Sequence, residues 1–92
     1  RQRCMLYLSP ERINYPDKAP NDSLLQKNLD ALENGEAPEK ITVCEEDCEF
    51  YLLSSLESAL AYSLSMYNFI PCMLVSESVD KSKYVKMKIG PQ

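Results

Sequence analysis

The 92-residue chain contains no histidine. That absence removes the usual general base at neutral pH, the usual activator of a serine or cysteine nucleophile, and the commonest metal ligand. Long apolar runs are missing too: none approaches the roughly 20 residues a membrane-spanning helix needs. No charged-then-apolar leader pattern opens the chain. Bases are in deficit, with 10 against 14 acids and a net charge of −4. Nonspecific DNA affinity comes largely from Lys and Arg on phosphates, so this balance argues against a duplex-DNA binder. Cys44 and Cys48 could form half of a four-cysteine zinc site, but no second close pair completes it.

What remains is an ordinary globular composition, 45% apolar. The length suits one domain spanning 1–92, and the start at Arg1 suggests a piece excised from a longer protein. Charge is uneven. Glu33, Glu36, Glu39, Glu45, Glu46, Asp47 and Glu49 face one lysine, Lys40, while the tail carries Lys81, Lys83, Lys86 and Lys88 around Tyr84. Solvated surface is the plain expectation for both regions. A weak nucleic-acid-binding edge built from the four tail lysines is the sharper one.

Cys4, Cys44 and Cys72 adjoin apolar stretches, where thiols behave as small core residues. Cys44 and Cys48 bracket a turn, leaving free thiols and a local disulfide both open. The reading is a reducing, cytoplasmic compartment. Acidic neighbours raise a thiol's pKa, which counts against a reactive thiolate at Cys44 or Cys48.

Met5 to Leu8 reads as a strand, and Ser9-Pro10-Glu11-Arg12 as a helical turn with proline at its first position. Tyr15-Pro16 to Pro20-Asn21 reads as a proline-bounded loop. Asn21, Asp22 and Ser23 are candidate caps for a helix over about 23–34, with Leu24, Leu25, Leu29 and Leu32 as its core stripe and Gly35 as its stop. Ile41 to Cys44 and Glu49 to Leu53 form a hairpin through Glu45 to Asp47. A second helix, about 55–67, faces the core with Leu56, Leu60 and Leu64, and ends at Asn68. Ile70 to Val75 and Tyr84 to Ile89 close the chain as strands. The class is α+β, a small mixed β-sheet with two main helices.

That order resembles the ParB/sulfiredoxin-like fold, specifically the ParB-type N-terminal domain. The resemblance is carried by Leu8-Ser9-Pro10-Glu11-Arg12-Ile13, Leu25 to Gly35, Pro38-Glu39-Lys40-Ile41-Thr42-Val43, Tyr51-Leu52-Leu53, Glu57 and Leu60, and Ile70-Pro71-Cys72-Met73-Leu74-Val75. It covers a core over 5–76, with 84–89 as an extra C-terminal strand. The family's Gly-Glu-Arg-Arg segment grips phosphate with backbone and cations. Here Leu56-Glu57-Ser58-Ala59 stands in its place, and the sulfiredoxin-type Gly-Cys-His-Arg is missing as well. The arginine expected after the loop proline is Asn21 instead. Glu57 pairs with Ser54 as a capping box, Ser-x-x-Glu.

The resemblance therefore implies a non-catalytic, bacterial-type regulatory or protein-interaction domain with a degenerate phosphate site at Ser54, Ser55, Glu57 and Ser58. It implies no cofactor, and a partner that is another protein or the rest of its own chain. DNA-associated regulation, as in a partition, plasmid-maintenance or transcription-control protein, fits that reading. The alternative is a surviving nucleotide-binding or nuclease-type enzyme. It would hold CTP or ATP at the 54–58 helix start, with Glu45, Glu46 and Asp47 as Mg²⁺ ligands. Tyr62, Met66, Tyr67 and Phe69 form a candidate contact surface.

Overall fold

The computed structural model describes residues 4–86. Among them, six strands build one mixed sheet: β1 (Cys4–Leu8), β2 (Ile13–Pro16), β3 (Thr42–Glu46), β4 (Glu49–Ser54), β5 (Ile70–Leu74) and β6 (Tyr84–Lys86). Two helices accompany it, α1 (Asp22–Glu33) and α2 (Leu56–Leu64). The architecture is α+β with a mixed sheet and two helices. Arg1, Lys88 and the 87–89 share of the expected last strand lie outside the described residues.

The strand order is β1-β5-β3-β4-β2-β6. β3 and β4 pair as an antiparallel hairpin at the centre, and β1 pairs antiparallel with β5, as β6 does with β2. Two parallel pairings join these units, β3 with β5 and β4 with β2. Parallel neighbours require a crossover. α2 supplies one, carrying the chain from β4 across to β5.

β2 is a correction to the loop expected from Tyr15-Pro16. Ile13 and Tyr15 are buried on a strand that ends at Pro16, where a missing N–H is tolerated. Asn14 is buried with them. Its Nδ2 donates to the Phe50 carbonyl at 2.9 Å and to Glu49 Oε1 at 3.1 Å, which supplies the partners a buried amide requires. The Tyr15 hydroxyl donates to the Pro10 carbonyl at 3.4 Å. The Arg12 guanidinium lies 5.4 Å from the centre of the Phe50 ring, within cation–π range.

α1 starts where the cap residues place it. Asn21 Oδ1 accepts the Leu24 N–H at 3.1 Å. At its other end Gly35 takes φ +79°, with bonds from Gly35 N–H to the Leu32 carbonyl and from Glu36 N–H to the Ala31 carbonyl. That pair of bonds is a Schellman motif. The leucine stripe is only half-buried, and Leu24 is the most open of the four at 38% exposure.

α2 is shorter than expected and stops by the same device, with a difference. Met66 occupies the left-handed position, φ +67°, that Gly35 fills in α1. Met66 N–H bonds the Ser63 carbonyl and Tyr67 N–H the Tyr62 carbonyl. The rings of Tyr62 and Tyr67 meet edge-on at 5.1 Å, supplying the apolar contact that accompanies the motif. The cap is thus Ser65, not Asn68. Leu64 is exposed because eight residues at 100° each carry it about 80° past Leu56. Ala59, Tyr62 and Ser63 hold the buried face in its place.

The hairpin turns at Asp47 and Cys48, one residue later than expected, with φ of +52° and +67°. Two successive positive φ angles are what a two-residue type I′ turn needs, and glycine suits the second position best. Cys48→Gly is therefore expected to stabilise the fold by about 0.5–1 kcal/mol. A rise in the urea midpoint at unchanged slope checks this; an unchanged midpoint contradicts it.

Candidate functional site

β4 ends at Ser54 and α2 begins at Leu56, so Ser55 makes the turn between them by itself. It does so at φ +66° and ψ +51°, a left-handed conformation that costs an L-residue about 1–2 kcal/mol. Two hydroxyls hold the turn in place. Ser55 Oγ donates to the Lys40 carbonyl at 2.5 Å, and the Ser54 and Thr42 hydroxyls bond each other at 2.6 Å. Both contacts tie the α2 start to the segment that enters β3.

The capping box expected from Ser54 and Glu57 does not form. Ser55, not Ser54, is the cap residue, which moves Glu57 from the third helical position to the second. A shift of one residue rotates a helical side chain by about 100°. Glu57 turns toward α1, where its Oε2 accepts the backbone N–H of Asn21 at 2.7 Å. Asn21 is the cap of α1, and the third helical position there is Leu24, which carries no carboxylate. The acid that a capping box draws from its own helix is supplied here by a different one. Two helix N-termini, each with partial positive charge, thereby share one carboxylate.

The four expected phosphate-site residues thus have separate placements. Ser54 and Ser55 are bonded toward β3, Glu57 toward α1, and Ser58 points its hydroxyl into the interior. Ser58 Oγ and Ser63 Oγ are buried without a hydrogen-bond partner. The role of Asn21 as Glu57's partner was missed. The cap signal marked Asn21 as a helix start, but nothing local links positions 21 and 57.

Lys81 and Lys83 lie in a 3₁₀ turn (Lys81–Lys83) and Lys86 lies in β6 (Tyr84–Lys86), while Lys88 falls outside the described residues. Lys81 Nζ is bonded to the Asp47 carboxylate and lies 3.6 Å from Glu46 Oε1. The hydrogen bond to Asp47 raises the Lys81 pKa, keeping it charged and engaged. Tyr84 is half-buried: its hydroxyl donates to the Leu52 carbonyl at 2.8 Å, and its ring meets Tyr51 edge-on. Two of the three acids expected to hold Mg²⁺, Glu46 and Asp47, are thus drawn to Lys81. Among the described residues no group of three or more potential ligands gathers for a metal.

All four cysteines are free. Cys44 and Cys72 are buried as expected, whereas Cys4 is exposed, which corrects its reading as a core thiol. Burial pushes the Cys72 thiol up to about 12, and burial with Glu46 and Glu77 raises Cys44 as well. Of the expected contact residues, Met66, Tyr67 and Phe69 are exposed and Tyr62 is buried.

The fold is sulfiredoxin-like. The structure of sulfiredoxin from Arabidopsis thaliana superposes with a TM-score of 0.69 at 18% identity, over 80% of this chain and 86% of that one. No protein-family model and no curated protein sequence matches. No helix among the described residues is long and apolar enough to cross a membrane.

Two outcomes follow from this geometry. Glu57→Gln is expected to lower stability by about 1 kcal/mol, because a charge-assisted bond at a helix cap becomes a neutral one. Equal denaturation midpoints for the two proteins would contradict the shared cap. The second outcome concerns pH. Cys72 is raised from 9.0 to about 12, so its stabilising share is complete below pH 9 and lost as pH rises toward 12. Under reducing conditions the denaturation midpoint should fall across that window, and fall less steeply in Cys72→Val.

Proposed function

We infer that this domain acts through protein contact within a regulatory assembly and that the α2 start has ceased to hold a nucleotide. One observation carries the reading: the Glu57 carboxylate, bonded to Asn21, occupies the ground between two helix N-termini where an anion would be drawn. A phosphate entering there would meet a like charge, with no cation beside it among Ser54 to Ser58. The lack of histidine supports the same conclusion, since it removes the most usual base for hydrolysis. Under this reading the domain needs no cofactor. Its partner is another protein or the remainder of its own chain, as in a cytoplasmic partition, plasmid-maintenance or transcription-control protein whose DNA-reading parts lie elsewhere. The pairing of Lys81 with Asp47 supports assigning DNA contact to other parts.

The competing reading is residual nucleotide binding by the backbone amides at the start of α2. Titration with CTP and ATP, with and without Mg²⁺, separates the two when followed by backbone amide shifts. The expected result is no saturable shift at millimolar nucleotide. Micromolar saturation centred on residues 54–58 would return the enzyme reading.

A further inference from the structure

We propose that β1 is a self-association edge, pairing antiparallel with β1 of a second copy of this chain around a twofold axis at Leu6. Among the described residues β1 pairs with β5 and leaves its other side open. An open edge presents unpaired N–H and C=O groups, and protein monomers blunt such edges with charges, proline or bulges. Cys4-Met5-Leu6-Tyr7-Leu8 has none of these. The opposite edge, β6, contains Lys86 within the strand and is preceded by the Lys81 ion pair.

The side chains beside β1 match the backbone. Met5 and Tyr7 are 54% and 67% exposed, and their register partners on β5 are Met73 and Pro71, so an apolar stripe runs two strands deep. Tyr7 shares the wall of a surface pocket with Tyr67 and Phe69. Phe69 and Tyr67 are themselves 58% and 43% exposed. At about 200 Å² per aromatic residue, these three leave roughly 300 Å² of ring surface in water. That lies at the lower end of the roughly 300–600 Å² that the largest apolar patch on a monomer covers. Met5, Met66 and the strand backbone extend it toward the roughly 800 Å² each partner contributes to a standard interface.

A second copy is the occupant that this surface fits. Five residues pair completely with themselves only when centred on Leu6, which sets Met5 of each copy opposite Tyr7 of the other. Cross-strand neighbours of that kind place a thioether against a ring twice per dimer, a favourable contact. A charged foreign segment would find no opposite charge along Cys4 to Leu8. The proposal goes beyond the interaction role inferred above and stands whether or not α2 binds nucleotide.

Sedimentation equilibrium of the 92-residue chain tests it. The wild type is expected to be a dimer at micromolar concentration. Met5→Lys/Tyr7→Lys should shift the dissociation constant at least a hundredfold while keeping the circular dichroism of the wild type. Val85→Lys, on the far edge, should leave the dimer intact. Hydrogen exchange of the wild type gives a reading independent of any variant: β1 amides should exchange faster on dilution. A wild type that stays monomeric at hundreds of micromolar, a dimer that survives the double change, or β1 exchange independent of concentration would each overturn the proposal.

Discussion

Much of the molecule hangs on the left-handed backbone of Ser55. One residue separates a central strand from the crossover helix, so the direction and rotational phase of α2 are set at that point. The hydroxyl bond to Lys40 and the neighbouring Ser54–Thr42 pair offset part of the conformational cost. Once the phase is set, Leu56, Ala59 and Tyr62 fall on the core and Glu57 faces α1. The carboxylate then fixes where α1 begins. A single strained turn thereby aligns both helices and the entry to β3.

The same turn bears on function. The resemblance implies a phosphate grip at this helix start, and what stands there is a carboxylate bonded to the Asn21 N–H. The segment is held by its own internal bonds and acts as a structural joint between α2, α1 and the entry to β3. Lys81 is engaged with Asp47, and the buried thiols of Cys44 and Cys72 are held protonated. Large apolar side chains stand exposed around β1 and the α2 exit.

Much of the architecture was legible from residue patterns because it depends on local signals. Asn21 and Gly35 bound α1, β-branched Ile41 to Val43 mark a strand, and an acidic turn between apolar runs marks a hairpin. β2 was not legible, since the strands on either side of it come from residues 49–54 and 84–86. The cap of α2 was misplaced because a serine in left-handed conformation carries no local mark, as a glycine would. Met66 hid the end of α2 for the same reason. The Glu57–Asn21 contact joins residues 36 positions apart, which no periodicity records.

The alternating parallel and antiparallel order has a consequence for how the chain reaches this state. β1 finds its partner 62 to 70 residues later, and β2 completes its pairing only when Tyr84 to Lys86 arrive. Closing such long loops precedes any gain from the contacts they make. Folding should thus be slow for a domain this small, as it is for other sheets dominated by distant pairing. On the ribosome, residues 4–16 would wait with Leu8, Ile13 and Tyr15, all buried in the finished fold, uncovered until most of the domain had emerged. The uncharged edge is therefore exposed longest at the stage when nascent chains are most crowded, and there a chaperone would find its first hold.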